Sequence, residues 1–156
     1  MNRPRVYADT SVFGGCFDKE FSDPSLRFFS QVEEGRFRLV TSALVAQEIE
    51  SAPANVQELS AIYLATAEVA DITDEAILLR KAYIEAGILS ERALADALHV
   101  AVATTTDCEM IVSWNFQHIV HFRKIPLYNA VNTLHGYGSI AIYSPLEVIE
   151  YEQEDS

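Results

Sequence analysis

The 156-residue sequence contains only two cysteines, Cys16 and Cys108, and they form no paired spacing. This scarcity argues against a disulfide framework and against a zinc site built on cysteine pairs, so we expect both thiols to be reduced. No apolar run approaches the roughly 18 residues that would suggest a membrane span, and the N-terminus lacks the apolar stretch of a signal peptide. The sequence therefore predicts a soluble cytoplasmic protein without a membrane partner.

Positive charge is also scarce, with 11 Lys and Arg against 23 Asp and Glu and a formal net charge of −12. Such a balance argues against broad, nonspecific binding to a phosphate backbone, so any nucleic acid has to enter through a local site. Arg92, Arg123 and Lys124 are candidate local cations, and an ordinary surface position is an equal alternative for each. The acids of 147–156 are accompanied by no base, which is typical of a solvated tail.

The order of apolar patterns and breaking residues predicts a single domain in which strands alternate with helices. We assign residues 1–149 to this domain and residues 150–156 to an acidic tail. Strands are predicted at 5–9, 36–42, 68–73, 108–113 and 139–144. Helices are predicted after Pro24, with Asp23 as N-cap and Gly35 as stop, at 43–52, 55–67, 74–87 and 91–106, near 128–136, and after Pro145. This alternation favours an α/β fold with a parallel sheet covered on both faces.

Asp9 lies in the stretch ADTSV, at the carboxyl end of the first predicted strand. Ser113 and Asn115 follow the fourth strand. In parallel sheets, ligands bind beyond the carboxyl ends of the strands, so these residues lie where an active site is expected. Taken alone, Asp9 is equally explained as a cap or turn residue.

The predicted helix around ALADALHVAVA is apolar nearly all round, and its only polar side chains from Ala93 to Ala103 are Asp96 and His99. Such a helix is buried, and a buried carboxylate requires a partner. A hydrogen bond between Asp96 and His99, three residues apart, is one explanation. A metal ion is the other.

Glu48 is the acid that the helix after the second strand turns inward. The apolar positions of SALVAQEIESA span an arc of about 140°, and Glu48 falls inside it while Glu50 falls outside. A single inward Glu can still reach water at the edge of an apolar stripe. If the carboxylates of Asp9, Glu48 and Asp96 all face inward to one place, however, they repel each other and require a cation. Oxygen ligands without cysteine favour Mg²⁺ or Mn²⁺.

The segments YADTSVFGG, TSALVAQEIE, LADALHVAVAT and IVSWNFQHIV resemble, in this order, those of PIN-domain ribonucleases, including the VapC-type toxins of toxin–antitoxin pairs. The resemblance covers most of the chain. It implies a three-layer α/β/α domain with a central parallel sheet that cleaves single-stranded or structured RNA with activated water. It also implies a small antitoxin partner and a homodimer.

Carried onto this sequence, the resemblance assigns the three metal-binding acids to Asp9, Glu48 and Asp96. The hydroxyl beside the first acid matches Thr10 or Ser11, and Ser113 and Asn115 match the polar pair after the fourth strand. We predict catalytic roles for the three acids and Asn115, and substrate binding by Thr10, Ser11 and Ser113.

One position departs from the pattern of the family, because many members have a fourth acid where His118 stands here. Either Asn115 supplies the last oxygen, directly or through water, or a second metal binds weakly, so one-metal chemistry is an alternative. A weakened PIN-like protein that acts as an interaction module is the competing hypothesis. A phosphate-transfer enzyme with Asp9 as nucleophile is disfavoured, because no second Asp follows two residues later.

Aromatic residues outside these segments allow two interpretations each. Trp114 either stacks a nucleic-acid base or packs beside the strand end. Leu26, Phe28 and Phe29 either belong to a dimer or antitoxin surface or fill the core.

Overall fold

The structure, a computed structural model, describes residues 3–150. Its strands are β1 (Arg5–Ala8), β2 (Arg38–Ser42), β3 (Glu68–Ala70), β4 (Met110–Val112) and β5 (Ala141–Tyr143). Its α-helices are α1 (Thr10–Gly15), α2 (Ser22–Glu33), α3 (Ala43–Ile49), α4 (Ala54–Leu64), α5 (Asp74–Glu85), α6 (Leu94–Thr105), α7 (Ile125–Leu134) and α8 (Pro145–Val148). A 3₁₀ turn, Glu91–Ala93, precedes α6. No helix of the described part is long and apolar enough to cross a membrane.

The five strands form one sheet in the order β3-β2-β1-β4-β5, and every neighbouring pair is parallel. On one side α1 packs on α2 and α4, and on the other α5 packs on α6 and α7. The predicted three-layer α/β/α fold is confirmed. The chain proceeds from β1 to β3 in one direction and from β4 to β5 in the other, so the order reverses between β1 and β4. Ligands of such sheets bind at this switch point, beyond the carboxyl ends of the strands.

The core lies on both faces of β1 and β4, whose side chains from Val6 to Ala8 and at Ile111 and Val112 have no exposed surface. Helix α6 is buried from Ala97 to Thr104, as its apolar circumference predicts. Its first turn is different, because Leu94 is exposed and Asp96 is only half-buried. The buried helix therefore emerges from the core at the turn that carries the acid.

The chain between β1 and β2 differs from the prediction at two places. The sequence predicts a glycine-containing loop over 14–23, but Gly14 and Gly15 belong to helix α1, which starts after its N-cap Asp9. Helix α2 begins at Ser22 and is preceded by the N-cap Phe21, so Asp23 lies in the first turn instead of capping the helix. Gly35 does end the helix region, with φ of 83°, a conformation that glycine adopts without strain.

Helix α1 ends with two glycines, Gly14 and Gly15, and close packing against other side chains explains the second of them. A Cβ atom at this position would lie 2.7 Å from both Ser25 Oγ and Trp114 Nε1. The missing side chain thus permits the close approach of α1 to the indole ring.

Two aromatic residues of α2 belong to the core. Phe28 and Phe29 have no exposed surface, and Phe29 stacks on Tyr63 with ring centroids 4.5 Å apart. Among the three candidates for a docking surface on this helix, only Leu26 is exposed. The interpretation of Phe28 and Phe29 as a dimer or antitoxin surface is wrong, because both rings are buried against aromatic side chains of the core.

The chain end is attached to α2 as far as Glu150. The Gln31 side chain donates to the Glu150 carbonyl (2.6 Å) and accepts from its N–H (2.9 Å), and Arg36 pairs with the Glu150 carboxylate. Ile149 is buried. The backbone is therefore held against α2 as far as Glu150, while the side chains of Glu147 and Glu150 are exposed, as expected for solvated acids. Residues 151–156 of the predicted tail lie outside the described part.

Candidate active site

Asp9 is a buried carboxylate that both caps a helix and faces other polar groups. Its side chain is almost inaccessible, at 3% exposure. Oδ1 accepts hydrogen bonds from the Ser11 N–H (3.1 Å) and the Ser11 hydroxyl (2.6 Å), and Oδ2 accepts from the Ser113 hydroxyl (2.6 Å). The cap and the cluster therefore coexist, because one oxygen faces α1 and the other faces the loop after β4.

The loop after β4 is joined to the Asp9 loop by the same two hydroxyls. Ser11 Oγ accepts from the Trp114 N–H (2.9 Å), and Ser113 Oγ accepts from the Asn115 N–H (2.9 Å). Both serines thus donate to the carboxylate and accept from the backbone, which fixes their hydrogens toward Asp9. They orient the acid, and their contact with substrate stays a prediction.

Asn115 organises the turn that follows. Its Oδ1 accepts from the N–H groups of Gln117 (3.2 Å) and His118 (2.9 Å). These two bonds occupy both lone pairs of the amide oxygen. A role for Asn115 as an oxygen ligand is still a prediction, and it requires this turn to change. The His118 Nδ1 atom is buried without a hydrogen-bond partner in the described part of the chain.

Glu48 turns inward, as its helical phase predicts, and its partners are Thr10 and His99. Its Oε1 accepts from the Thr10 hydroxyl (2.6 Å) and from His99 Nε2 (2.8 Å). Because a carboxylate can only accept, Nε2 carries a hydrogen. Glu50 is exposed, also as predicted.

A chain of buried polar groups supports His99 from below. Its Nδ1 lies 2.8 Å from the Tyr7 hydroxyl, which lies 2.8 Å from Ser42 Oγ. Tyr7, Ser42 and His99 are all buried, so the chain holds the imidazole in one orientation. The sequence revealed His99 as a polar residue on an apolar helix, but it indicated the wrong partner. Tyr7 carries no sequence signal that distinguishes it from other core residues.

Asp96 is the acid without a local partner. Its carboxylate accepts no hydrogen bond from residues 3–150, and both nitrogens of His99 are bonded elsewhere. The hypothesis of a structural Asp96–His99 hydrogen bond is therefore wrong. The charge of Asp96 acts on Asp9, where it adds to the larger effect of burial in raising the pKa of the carboxyl.

The pKa values of Asp9 and Glu48 are shifted in opposite directions. Burial raises the pKa of Asp9, and the Asp96 charge adds to this, against the lowering effects of the His99 charge and the two serine hydroxyls. Partial burial also raises the pKa of Glu48, but the hydrogen bonds from His99 and Thr10 and the His99 charge outweigh it, so the net pKa is lowered. Ionised Asp9 is thus an unfavourable charge, and ionised Glu48 a favourable one.

Of the predicted triad, Asp9 and Asp96 are linked by a charge effect on the pKa of Asp9, while Glu48 is hydrogen-bonded to His99. Residues 3–150 contain no group of three or more His, Cys, Asp or Glu side chains already placed to hold a metal ion. The oxygen donors of the two aspartates still fit a hard divalent cation. Glu48 is connected to the Asp9 loop through the hydroxyl of Thr10, the residue that follows Asp9 in the chain.

Trp114 has a packing role. Its ring stacks on Phe21 with centroids 4.1 Å apart, and its Nε1 donates to Ser25 Oγ (2.8 Å). The ring is buried, so the interpretation of Trp114 as a base-stacking residue is wrong. Among the candidate cations, Lys124 donates to the Ile88 carbonyl (2.7 Å).

The raised pKa of Asp9 predicts a pH-dependent gain of stability on Asp9→Asn. The folded state holds the Asp9 proton more tightly than the unfolded state, so this carboxyl weakens folding as the pH rises from its ordinary value of 3.8 through its folded value. Asparagine keeps a side chain that can cap the helix. The free energy of unfolding of the variant should therefore exceed that of wild type, by a margin that grows with pH over this range and then levels off. Urea unfolding of the metal-free proteins at a series of pH values measures the margin. A constant or shrinking margin would contradict the strained carboxylate.

Solved structures of other proteins are similar to this chain over most of its length. VapBC2 from Rickettsia felis bound to a promoter DNA fragment matches with a TM-score of 0.59 and 15% identity over 88% of this chain and 96% of that chain. FitAcB from Neisseria gonorrhoeae matches with 0.59 and 11% over 92% and 99%. VapC20 from Mycobacterium tuberculosis, a Sarcin-Ricin loop cleaving toxin, matches with 0.52 and 14% over 87% and 98%. No protein-family model and no curated protein matches the sequence.

The shared architecture extends over nearly the whole of each neighbour. The protein has an α/β/α fold with a candidate acid site at the switch point of its sheet. More narrowly, this is a PIN-domain fold of the VapC type, as the resemblance of the sequence implies.

Proposed function

We propose that this protein is a metal-dependent endoribonuclease that hydrolyses phosphodiester bonds of single-stranded RNA, and that it is the toxin of a toxin–antitoxin pair. The observation that carries the proposal is the Asp9 carboxylate, which is buried at the switch point of the sheet and whose pKa is raised by burial and, to a smaller extent, by the charge of Asp96. Two like charges in this position destabilise the fold unless a cation accompanies them. A PIN-domain fold of the VapC type supports the same function.

Asp9 and Asp96 would hold Mg²⁺ or Mn²⁺, with Glu48 as a third oxygen ligand when it leaves His99. Such an ion would activate water near neutral pH and offset the charge that develops on the phosphate. Ser11 and Ser113 fix the Asp9 oxygens by their hydroxyl hydrogens. Thr10 and His99 keep Glu48 ionised and hold its position until it is used.

An antitoxin partner is part of the proposal because two structural neighbours are known as the complexes VapBC2 and FitAcB. A small protein that binds this chain would control its activity. A homodimer, which the sequence resemblance implies, completes the proposed assembly. Leu26 is the one member of the sequence-predicted docking candidates that stays available on the surface.

A second candidate function is that of an interaction module with weak or no catalysis. One observation favours it: the third acid, Glu48, is already held by a hydrogen bond from His99 Nε2 (2.8 Å). A module of this kind would bind its partner without a divalent cation. The two functions differ in whether Asp9 matters once the protein is folded.

Expression of the wild-type chain in bacterial cells should arrest growth, and Asp9→Asn should not. The substitution removes a charge but keeps a side chain able to cap α1, so the folded protein is retained. Co-expression of a small open reading frame adjacent to the gene should restore growth. The measurement is culture density after induction, with equal protein levels checked by immunoblot. Equal arrest by Asp9→Asn would show that toxicity does not come from the acid site.

A further inference from the structure

An open groove lined with aromatic rings lies next to the acid site. It has a volume of about 630 Å³, and Phe116, Phe122 and Tyr143 line it together with Val120 and Ile125. We call it the aromatic groove. None of these residues takes part in the hydrogen bonds that hold Asp9 and Glu48.

The aromatic groove starts one hydrogen bond away from the acid site. The Ser113 N–H donates to the Tyr143 carbonyl (3.0 Å), and the Ser113 hydroxyl donates to Asp9 (2.6 Å). Tyr143 ends β5, the strand next to β4, and β4 is next to β1. Asp9 and Ser113 thus follow β1 and β4, and Tyr143 ends β5, so the three residues lie at the carboxyl ends of three neighbouring strands. Ser113 connects the acid site to the strand that lines the groove.

The exposed side chains of the aromatic groove are rings rather than aliphatic chains. Residues 3–150 expose four large aromatic side chains, and three of them line the groove: Phe116 at 47%, Phe122 at 76% and Tyr143 at 39%. Exposed aliphatic residues such as Leu26 and Leu134 lie outside it. Clustered exposed rings offer flat faces on which the planar bases of a nucleic acid can stack.

The charges at the groove favour a ligand with a phosphate backbone on one side. The Arg123 guanidinium lies over the Phe122 ring, 5.4 Å from its centroid, and the His121 ring stacks on Phe122 with centroids 5.4 Å apart. One acid lines the groove, Glu147, which accepts a hydrogen bond from Ser144 (3.3 Å). In a chain with a net charge of −12, Arg123 gives this groove a local positive charge that can attract a phosphate.

We propose that the aromatic groove binds unpaired bases of single-stranded RNA by stacking, next to the phosphate that Asp9 and Asp96 address. This inference rests on the proposed nuclease function and adds the part of the protein that selects single strands. Bases in a duplex are already stacked on each other, so their faces are not free for protein rings. Stacking tolerates different sequences, because every base has a flat face.

The test measures the affinity for a labelled single-stranded RNA of mixed sequence in EDTA, where no metal-dependent cleavage occurs. Phe122→Ala should weaken binding about tenfold, the order of effect that loss of one base-stacking ring causes. It should leave the salt dependence unchanged because no charge is removed, whereas Arg123→Ala should reduce the salt slope. The matched control is Leu134→Ala, which removes an apolar side chain that is 84% exposed and lies outside the groove. This control should bind like wild type.

Two results would overturn the inference. One is that Phe122→Ala binds RNA like wild type. If this variant also separates a dimer in sedimentation, the groove is a surface between two copies of the chain. The other is that wild type binds the duplex form of the same RNA equally well. Failure of the nuclease proposal is distinguishable: RNA binding would depend on Phe122 while no metal ion produced cleavage.

Discussion

Asp96→Asn should lower cleavage of single-stranded RNA by at least about 100-fold, since even residues that only orient metal ligands account for about 10–100-fold. The metal-free variant should be no less stable than wild type. Asp96 accepts no hydrogen bond from the described residues, and its charge opposes the ionisation of Asp9. Asparagine keeps the shape and removes the repulsion. Thermal unfolding and cleavage rates measure the two effects separately.

Manganese should distinguish the two proteins further. A site that exists only in the folded state stabilises it by about 2.7 kcal/mol when the free ion is at 100 times its Kd. For a chain of this size that corresponds to a rise in Tm of roughly 5–10 °C. Wild type should show this rise, and Asp96→Asn should show little of it. If the substitution unfolds the metal-free protein and Mn²⁺ leaves wild type unchanged, Asp96 has a structural role and no metal site is present.

Glu48→Gln should also abolish most of the cleavage, by at least about 100-fold by the same reasoning, while Glu50→Gln should stay within a few-fold of wild type. The two acids lie on one short helix, so the pair is a matched control for the loss of a negative charge. Glu48 faces Thr10 and His99, whereas Glu50 is exposed. The amide oxygen of glutamine can still accept both hydrogen bonds, so stability should change little.

The measurement is the initial rate of cleavage for both variants at equal Mn²⁺ concentration, with far-ultraviolet circular dichroism as a check of folding. Equal loss for the two variants would show that overall charge, and not the inward position of Glu48, determines activity. An unchanged rate for Glu48→Gln would favour a site built from Asp9 and Asp96 alone.

The sheet could be predicted from the sequence because its determinants are local. Each strand is a short apolar run between breaking residues, and helices separate the strands, which leaves only parallel pairing through crossovers. Helix α1 was missed for a non-local reason. Gly14 and Gly15 indicate a loop by themselves, but Gly15 is required because the indole ring of Trp114 lies against it, 99 positions away in the chain.

The sequence predicts which side chains of the site face inward, but it does not predict their hydrogen-bond partners. The helical phase of α3 correctly turns Glu48 inward and Glu50 outward, because phase depends only on the 100° step of the helix. Which group Glu48 then binds depends on the position of His99, which is 51 residues further on. For the same reason the nearest candidate in sequence, Asp96, was the wrong partner for His99. Long-range packing decides these contacts, and a single sequence does not encode it in any local pattern.

The proposed function requires that the Asp9 site hydrolyses RNA with a divalent cation. The most direct test is cleavage of a labelled single-stranded RNA by the purified protein, first in EDTA and then with Mn²⁺ or Mg²⁺ titrated in, with Asp9→Asn purified and assayed in parallel. Wild type should be inactive in EDTA and gain activity with either ion, and Asp9→Asn should remain inactive at every ion concentration. Cleavage by wild type in EDTA, equal cleavage by the variant, or no cleavage by wild type at any ion concentration would contradict the claim.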